Sequence, residues 1–126
     1  FMRVQLYTCF GAMKLGMDIL KKEENVKIDR ILGHGGIFKT KGVAQNILAA
    51  AIGAPVVVME TAGDGGAWGI ALLALYLDRK QENYSLEDFL NNAIFGDAEA
   101  ITVEPNENMI IGYEKFLENY KRGLKN

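Results

Sequence analysis

Histidine and cysteine, on which most metal and redox sites depend, are almost missing from this chain. It carries one of each, His34 and Cys9. A single imidazole excludes every metal site that needs two. A single thiol excludes an internal disulfide and suits a reducing compartment, so a cytoplasmic location is expected. There is no excess of basic charge. Lys and Arg number 14 against 16 Asp and Glu, a formal net charge of -2, which argues against a binder of nucleic-acid backbone. No apolar run reaches the roughly 18 residues of a membrane span. The longest, Ala67 to Leu77, is shorter and is opened by glycines. The basic start, apolar stretch and small-residue cleavage site of a secretory signal are also lacking.

What remains is the make-up of an ordinary folded domain. The 126 residues are 49% hydrophobic and 24% charged, which excludes intrinsic disorder and fits one domain spanning 1–126. No internal repeat, low-complexity segment or linker interrupts it.

The chain enters a helical pattern at once. Met2, Leu6, Phe10, Met13, Met17 and Leu20 recur at three- and four-residue spacing and predict one apolar stripe, with Cys9 buried beside it as a small hydrophobe. Nothing before Phe1 caps this helix, which suits either an internal fragment or a frayed natural terminus. After the polar turn Lys21–Asn25, the stretch Val26–Leu32 alternates and then becomes wholly apolar, as a strand entering a core does. A helix is predicted from about Gly42 to Ile52, with Val43, Ile47, Leu48 and Ala51 inward, Gly53 as its stop and Pro55 beyond. Pro55–Met59 reads as a β-branched strand. Ala67–Leu77 reads as a helix buried on most of its surface.

Ser85 opens a helix to about Phe95, with Asp88 at the capping spacing. Ala100–Val103 is a short strand ended by Glu104-Pro105. Asn106 caps a last helix whose Met109, Ile110, Tyr113, Phe116, Leu117 and Tyr120 form an apolar stripe. Basic Lys121, Arg122 and Lys125 sit in or after its final turns, where they suit the helix dipole. This order of helices and strands is α/β in class.

Two glycine-rich turns carry the functional signal. Gly33-His34-Gly35-Gly36 follows the first strand, and Gly63-Asp64-Gly65-Gly66 follows the second, with Gly69 beyond. Without a Cβ, such backbone can approach a ligand closely, and amides leading into a helix meet negative charge. The first turn has neither the GxGxxG nor the Gly-Lys-Ser/Thr pattern. Each is read either as a tight structural turn or as a ligand contact. Two in tandem raise the case for a phosphate or nucleotide site. Asp64 is read as a cap or turn former rather than a catalytic acid. Lys39 and Lys41 are read as solvated, His34 as a hydrogen-bonded turn residue, and Trp68 as packing.

The residues Ile31–Gly36, then Gln45, then Gly53-Ala54-Pro55-Val56, then Gly66–Ala74 resemble the C-terminal segment of the FGGY carbohydrate kinases. Arg3 and the Phe10-Gly11 pair resemble the helix that precedes the strand in these enzymes. The stretches Gly33–Thr40 and Glu60–Gly69 look most like the xylulose and ribulose kinases. The resemblance runs from about Arg3 to Leu77. It departs from the family at Ala49-Ala50, where Ala-Asp is usual, and at Ala67-Trp68-Gly69, where Trp68 stands in place of the family's Leu.

The resemblance implies part of the C-terminal domain of an actin-like, ribonuclease-H-like ATPase fold. It implies adenine and ribose packed against the first glycine turn, with Gly35, Gly36 and Ile37 as contacts and Thr40 near the adenine edge. It further implies an ATP- and Mg2+-dependent kinase acting on a pentulose such as xylulose. The phosphate loop, the catalytic Asp and most sugar contacts would lie in a preceding domain, so no catalytic or metal-binding residue is expected here. On its own the chain is expected to be inactive. The expected partners are a nucleotide, a sugar held through the missing domain and, as an open option, a second copy in a homodimer. The alternative is a stand-alone α/β interaction or regulatory module. A third option, another actin-like enzyme such as an acetate kinase, is disfavoured by Pro55-Val56 and the Ala67–Ala71 helix.

Overall fold

A computed structural model describes residues 1–79, 84–95 and 99–124. Three short strands, β1 (Ile31–Gly33), β2 (Val56–Met59) and β3 (Ala100–Val103), form one sheet in the order β1-β2-β3. β1 lies parallel to β2, with Ile31 opposite Val56 and Gly33 opposite Val58. β3 lies antiparallel to β2, with Val56 opposite Val103 and Met59 opposite Ala100. The connection from β1 to β2 runs through a helix, as parallel pairing demands.

That helix, α2 (Val43–Ile52), is the centre of the core. Ala44, Ile47, Leu48, Ala49, Ala51 and Ile52 are all buried, because α2 lies between the sheet and two long helices, α1 (Met2–Glu23) and α5 (Glu107–Gly123). A run of small alanines lets these neighbours come close on several sides at once. Strand alternation sends Ile31, Gly33, Val56 and Val58 to this same face. Gly53 ends α2 in the left-handed conformation, φ +68°, as expected of a glycine stop. At the other end, the Gln45 side chain reaches back to accept from the Gly42 amide, which explains a fully buried glutamine. The ammonium of Lys21 donates to the carbonyl of Ile52, tying the end of α1 to the end of α2.

The sequence stripe of α1 holds in part. Phe10 is buried and Leu6 and Met17 pack against the core, but Met2, Met13 and Leu20 are exposed. The buried face is instead completed by Tyr7, Gly11 and Lys14, because α5 packs there. Gly11 is required by that contact: a Cβ would stand 2.9 Å from the Tyr120 ring. Lys14 is held in the interface by pairing with Asp18 at 2.9 Å and Glu114 at 3.4 Å. Tyr113 of α5 donates to the Tyr7 carbonyl at 2.9 Å. Cys9 is exposed, contrary to the burial expected from its place beside the stripe.

Other corrections have similar causes. Of the Val26–Leu32 stretch only Ile31 and Leu32, with Gly33, pair in the sheet. Val43 starts α2 on its exposed side. The turn after β2 is a 3-10 helix, Glu60–Asp64, that runs directly into α3 (Gly65–Arg79), so Gly65 and Gly66 are helical. α3 is not buried on most of its surface: only Leu72 is, while Ile70 and Leu77 are 72% and 71% exposed.

The remaining elements follow the sequence closely. Ser85 caps α4 (Leu86–Phe89) by accepting from the Asp88 amide at 3.0 Å, and the helix continues as a π turn over Leu90–Ile94. Asn106 caps α5 by accepting from the Met109 amide at 3.2 Å. Tyr113 and Leu117 are buried, and Lys121 and Arg122 occupy its last turn. Lys125 lies outside the described residues. Among the described residues, no helix is long and apolar enough to cross a membrane.

Candidate functional site

Because β1 and β2 are parallel, the turns that follow them emerge at the same end of the sheet. In open α/β sheets this carboxyl end is where ligands bind, since the strands deliver their loops there side by side. The first turn leaves β1 at Gly33, passes Gly35 at φ +109° and enters a short 3-10 helix, Gly36–Phe38. Only glycine sits at such a φ without strain. Gly33 is fixed by contact instead: a Cβ would lie 2.8 Å from the Phe38 ring, which the turn folds back over β1.

The two turns are joined. The Gly35 amide donates to the Ala62 carbonyl at 2.6 Å. The ammonium of Lys39 pairs with the Asp64 carboxylate at 2.9 Å, and its stem lies over Gly63 so closely that a Cβ there would stand 2.8 Å from Lys39 Cγ. His34 lies beside Gly65, its Nδ1 being 3.4 Å from where a Cβ would stand.

The four residues expected to contact a nucleotide fall into two groups. Gly36 is exposed, with no atom within 4 Å of a Cβ position, so flat ligand surface can lie against its backbone. Thr40 is exposed just before α2, its carbonyl accepting from the Val43 amide. Gly35 is half-buried with its amide committed to Ala62, and Ile37 packs partly into the core. Gly35 and Ile37 thus shape the turn, while Gly36 and Thr40 present it.

Two clefts flank these turns, and none of the four lines either. An apolar one of about 550 Å³ separates the outer face of the sheet from α3. It is walled by Leu32, Val57 and Met59 on one side and by Trp68, Leu72 and Phe95 on the other. Trp68 is half-buried there, meeting Phe95 edge-on at 5.5 Å. A second, polar cleft of about 320 Å³ holds Lys39, Lys41, Glu60 and Asp64. Sequence reasoning missed the apolar cleft and the Lys39–Asp64 pair. The one available signal was opposite charge in or beside two glycine turns, 25 positions apart. Among the described residues, no group of three or more His, Cys, Asp or Glu is placed to hold a metal ion.

Sheet, helices and paired turns together define an α/β domain whose two glycine-rich segments meet at one end of the sheet. Residues 1–77 match the FGGY family of carbohydrate kinases, C-terminal domain, and the chain belongs to that family. No curated protein and no solved structure matches the chain. The family match ends within α3, so α4, β3 and α5 stand outside it.

Proposed function

We propose that this chain is the nucleotide-holding part of a sugar kinase, one that moves the γ-phosphoryl of ATP to a hydroxyl of a pentulose such as xylulose. The observation that carries this reading is the pairing of two glycine turns at the carboxyl end of β1 and β2 in a chain of the FGGY family. A purine nucleotide would lie against the exposed Gly36 backbone, where a Cβ position meets no neighbour within 4 Å. Gly36 and Thr40 would touch it, and Gly35 and Ile37 would hold the turn in shape. Magnesium is carried in such reactions largely by the phosphates, with few protein ligands. The proposed fold of the whole is actin-like, with a preceding domain supplying the phosphate loop, the sugar contacts and the base that takes the hydroxyl proton. Without that domain the chain is expected not to transfer phosphoryl groups.

The test is a titration of Mg-ADP into the isotope-labelled chain, followed by amide NMR. Saturable shifts confined to Gly33–Thr40 and Gly63–Gly69 are expected. A folded chain showing no shift in either turn at millimolar ADP would overturn the reading and leave a non-binding module.

A further inference from the structure

We infer that Lys39 is a positioning residue that clasps the two glycine turns together, with Gly63 as its seat and Asp64 as its catch. The inference rests on the nucleotide reading for its purpose, since a clasped pair of turns is a preorganised one. Its geometry stands independently. Three contacts converge across the turns: the Gly35 amide on the Ala62 carbonyl, the Lys39 ammonium on Asp64, and the Lys39 stem on Gly63. No contact of this kind is dictated within either turn alone.

The ion pair by itself is weak. Its side chains are 60% and 79% exposed, and pairs in that setting are easily outcompeted by water. The stem contact supplies what the charge does not. Lys39 Cγ moves only with a change of χ1, which would also carry the ammonium off Asp64, so in this rotamer the segment after β2 is held against the stem only if residue 63 lacks a Cβ. Long lysine stems commonly pack this way while the charge remains in water. With the stem seated on Gly63 and the head on Asp64, the two residues that follow Ala62 are anchored. The Gly35 amide is then kept on its acceptor, and with it the approach to Gly36.

The experiment is a double-mutant cycle of Lys39→Ala and Gly63→Ala, read by hydrogen exchange at the Gly35 amide without nucleotide. Exchange there reports local opening of the joined turns, and amides of α2 such as Leu48 report global stability. Each single variant is expected to speed Gly35 exchange about two- to five-fold, the scale of an exposed pair, and to leave Leu48 unchanged. Gly63→Ala added to Lys39→Ala is expected to have no further effect, because its clash is gone. Lys39→Arg, keeping stem and charge, should restore the wild-type rate. Equal exchange in wild type and Lys39→Ala would overturn the clasp, as would additive effects, or acceleration at Leu48 to the same extent. In a parallel arm, Mg-ADP shifts of Gly36 and Thr40 should weaken in Lys39→Ala. If the wild-type chain shows no ADP shift while the cycle is non-additive, the clasp stands and the nucleotide reading falls.

Discussion

Tyr113 shows how much one side chain of α5 carries. Its ring is buried against Tyr7 and Phe116, with centroids 5.0 and 5.6 Å away, while its hydroxyl crosses to the Tyr7 carbonyl of α1. Burial, with the nearby Tyr120, Tyr7 and Glu114 adding to it, holds the phenol well above the usual tyrosine value. A phenol harder to ionise when folded contributes stability that is fully present below about pH 10 and is lost as pH rises beyond it, because the unfolded chain then releases the proton first. Tyr113→Phe should cost about 0.5–1 kcal/mol at neutral pH, the lower end for a lost hydrogen bond, since the Tyr7 carbonyl keeps its place in the helix ladder. The same variant should show a flatter fall in stability above pH 10. Urea denaturation across alkaline pH checks both, and an unchanged alkaline slope would contradict the assignment. Cys9 belongs to this scale as well. Position beside an apolar stripe suggested burial, but a few tens of degrees of rotation about α1 decide it, and contact with α5 selects the Tyr7–Gly11–Lys14 side.

At the scale of elements, capping chemistry was the most readable part of the sequence. Ser85 and Asn106 cap as their spacing requires, and Gly53 stops α2 in the left-handed region. Such signals are local, so a few neighbouring residues suffice to specify them. Gly53→Ala should destabilise by about 1 kcal/mol, and purely through backbone conformation, because nothing lies within 4 Å of the added methyl. Thermal unfolding would measure it, and a neutral result would mean α2 ends without need of that conformation. Strand extent was less readable. Alternation over Val26–Leu32 describes a segment able to pair along its whole length, yet β2 offers partners only to Ile31–Gly33. The first glycine turn was legible as a turn, whereas Gly63–Gly66 lie where a 3-10 helix runs into α3, and the shared position of the two segments at one end of the sheet followed only once β1 and β2 were found parallel. Their connection through Lys39, Asp64 and Ala62 was not legible, since contacts across 25 or more positions leave no local period.

The whole molecule is one-sided. α1, α2 and α5 close one face of the sheet into a hydrophobic core, whereas the other face opens onto the apolar cleft and α3. Substitutions should divide accordingly. Leu48→Ala, at 2% exposure, should cost about 2–5 kcal/mol, the range for emptying a closed core. Ile70→Lys and Leu77→Lys should each change stability by no more than about 0.5 kcal/mol, despite replacing apolar residues in the apolar stretch Ala67–Leu77. Chemical denaturation of the three variants is the measurement, and a large loss from either lysine would show that α3 is covered. The continuous apolar character of Ala67–Leu77 gives no direction, so it could not distinguish a buried helix from one with an open flank.

The sequence by itself determined the class, the order of elements, the caps and stops, and the family, because these depend on composition, short-range periodicity and motif spacing. The tertiary structure alone decided which side of α1 is buried, how little of Val26–Leu32 pairs, that α3 lies largely exposed, and that the two glycine turns are clasped. Each of these turns on which surface meets which across a long loop. That is a matter of packing in three dimensions, where residues distant in the chain choose each other by shape and charge.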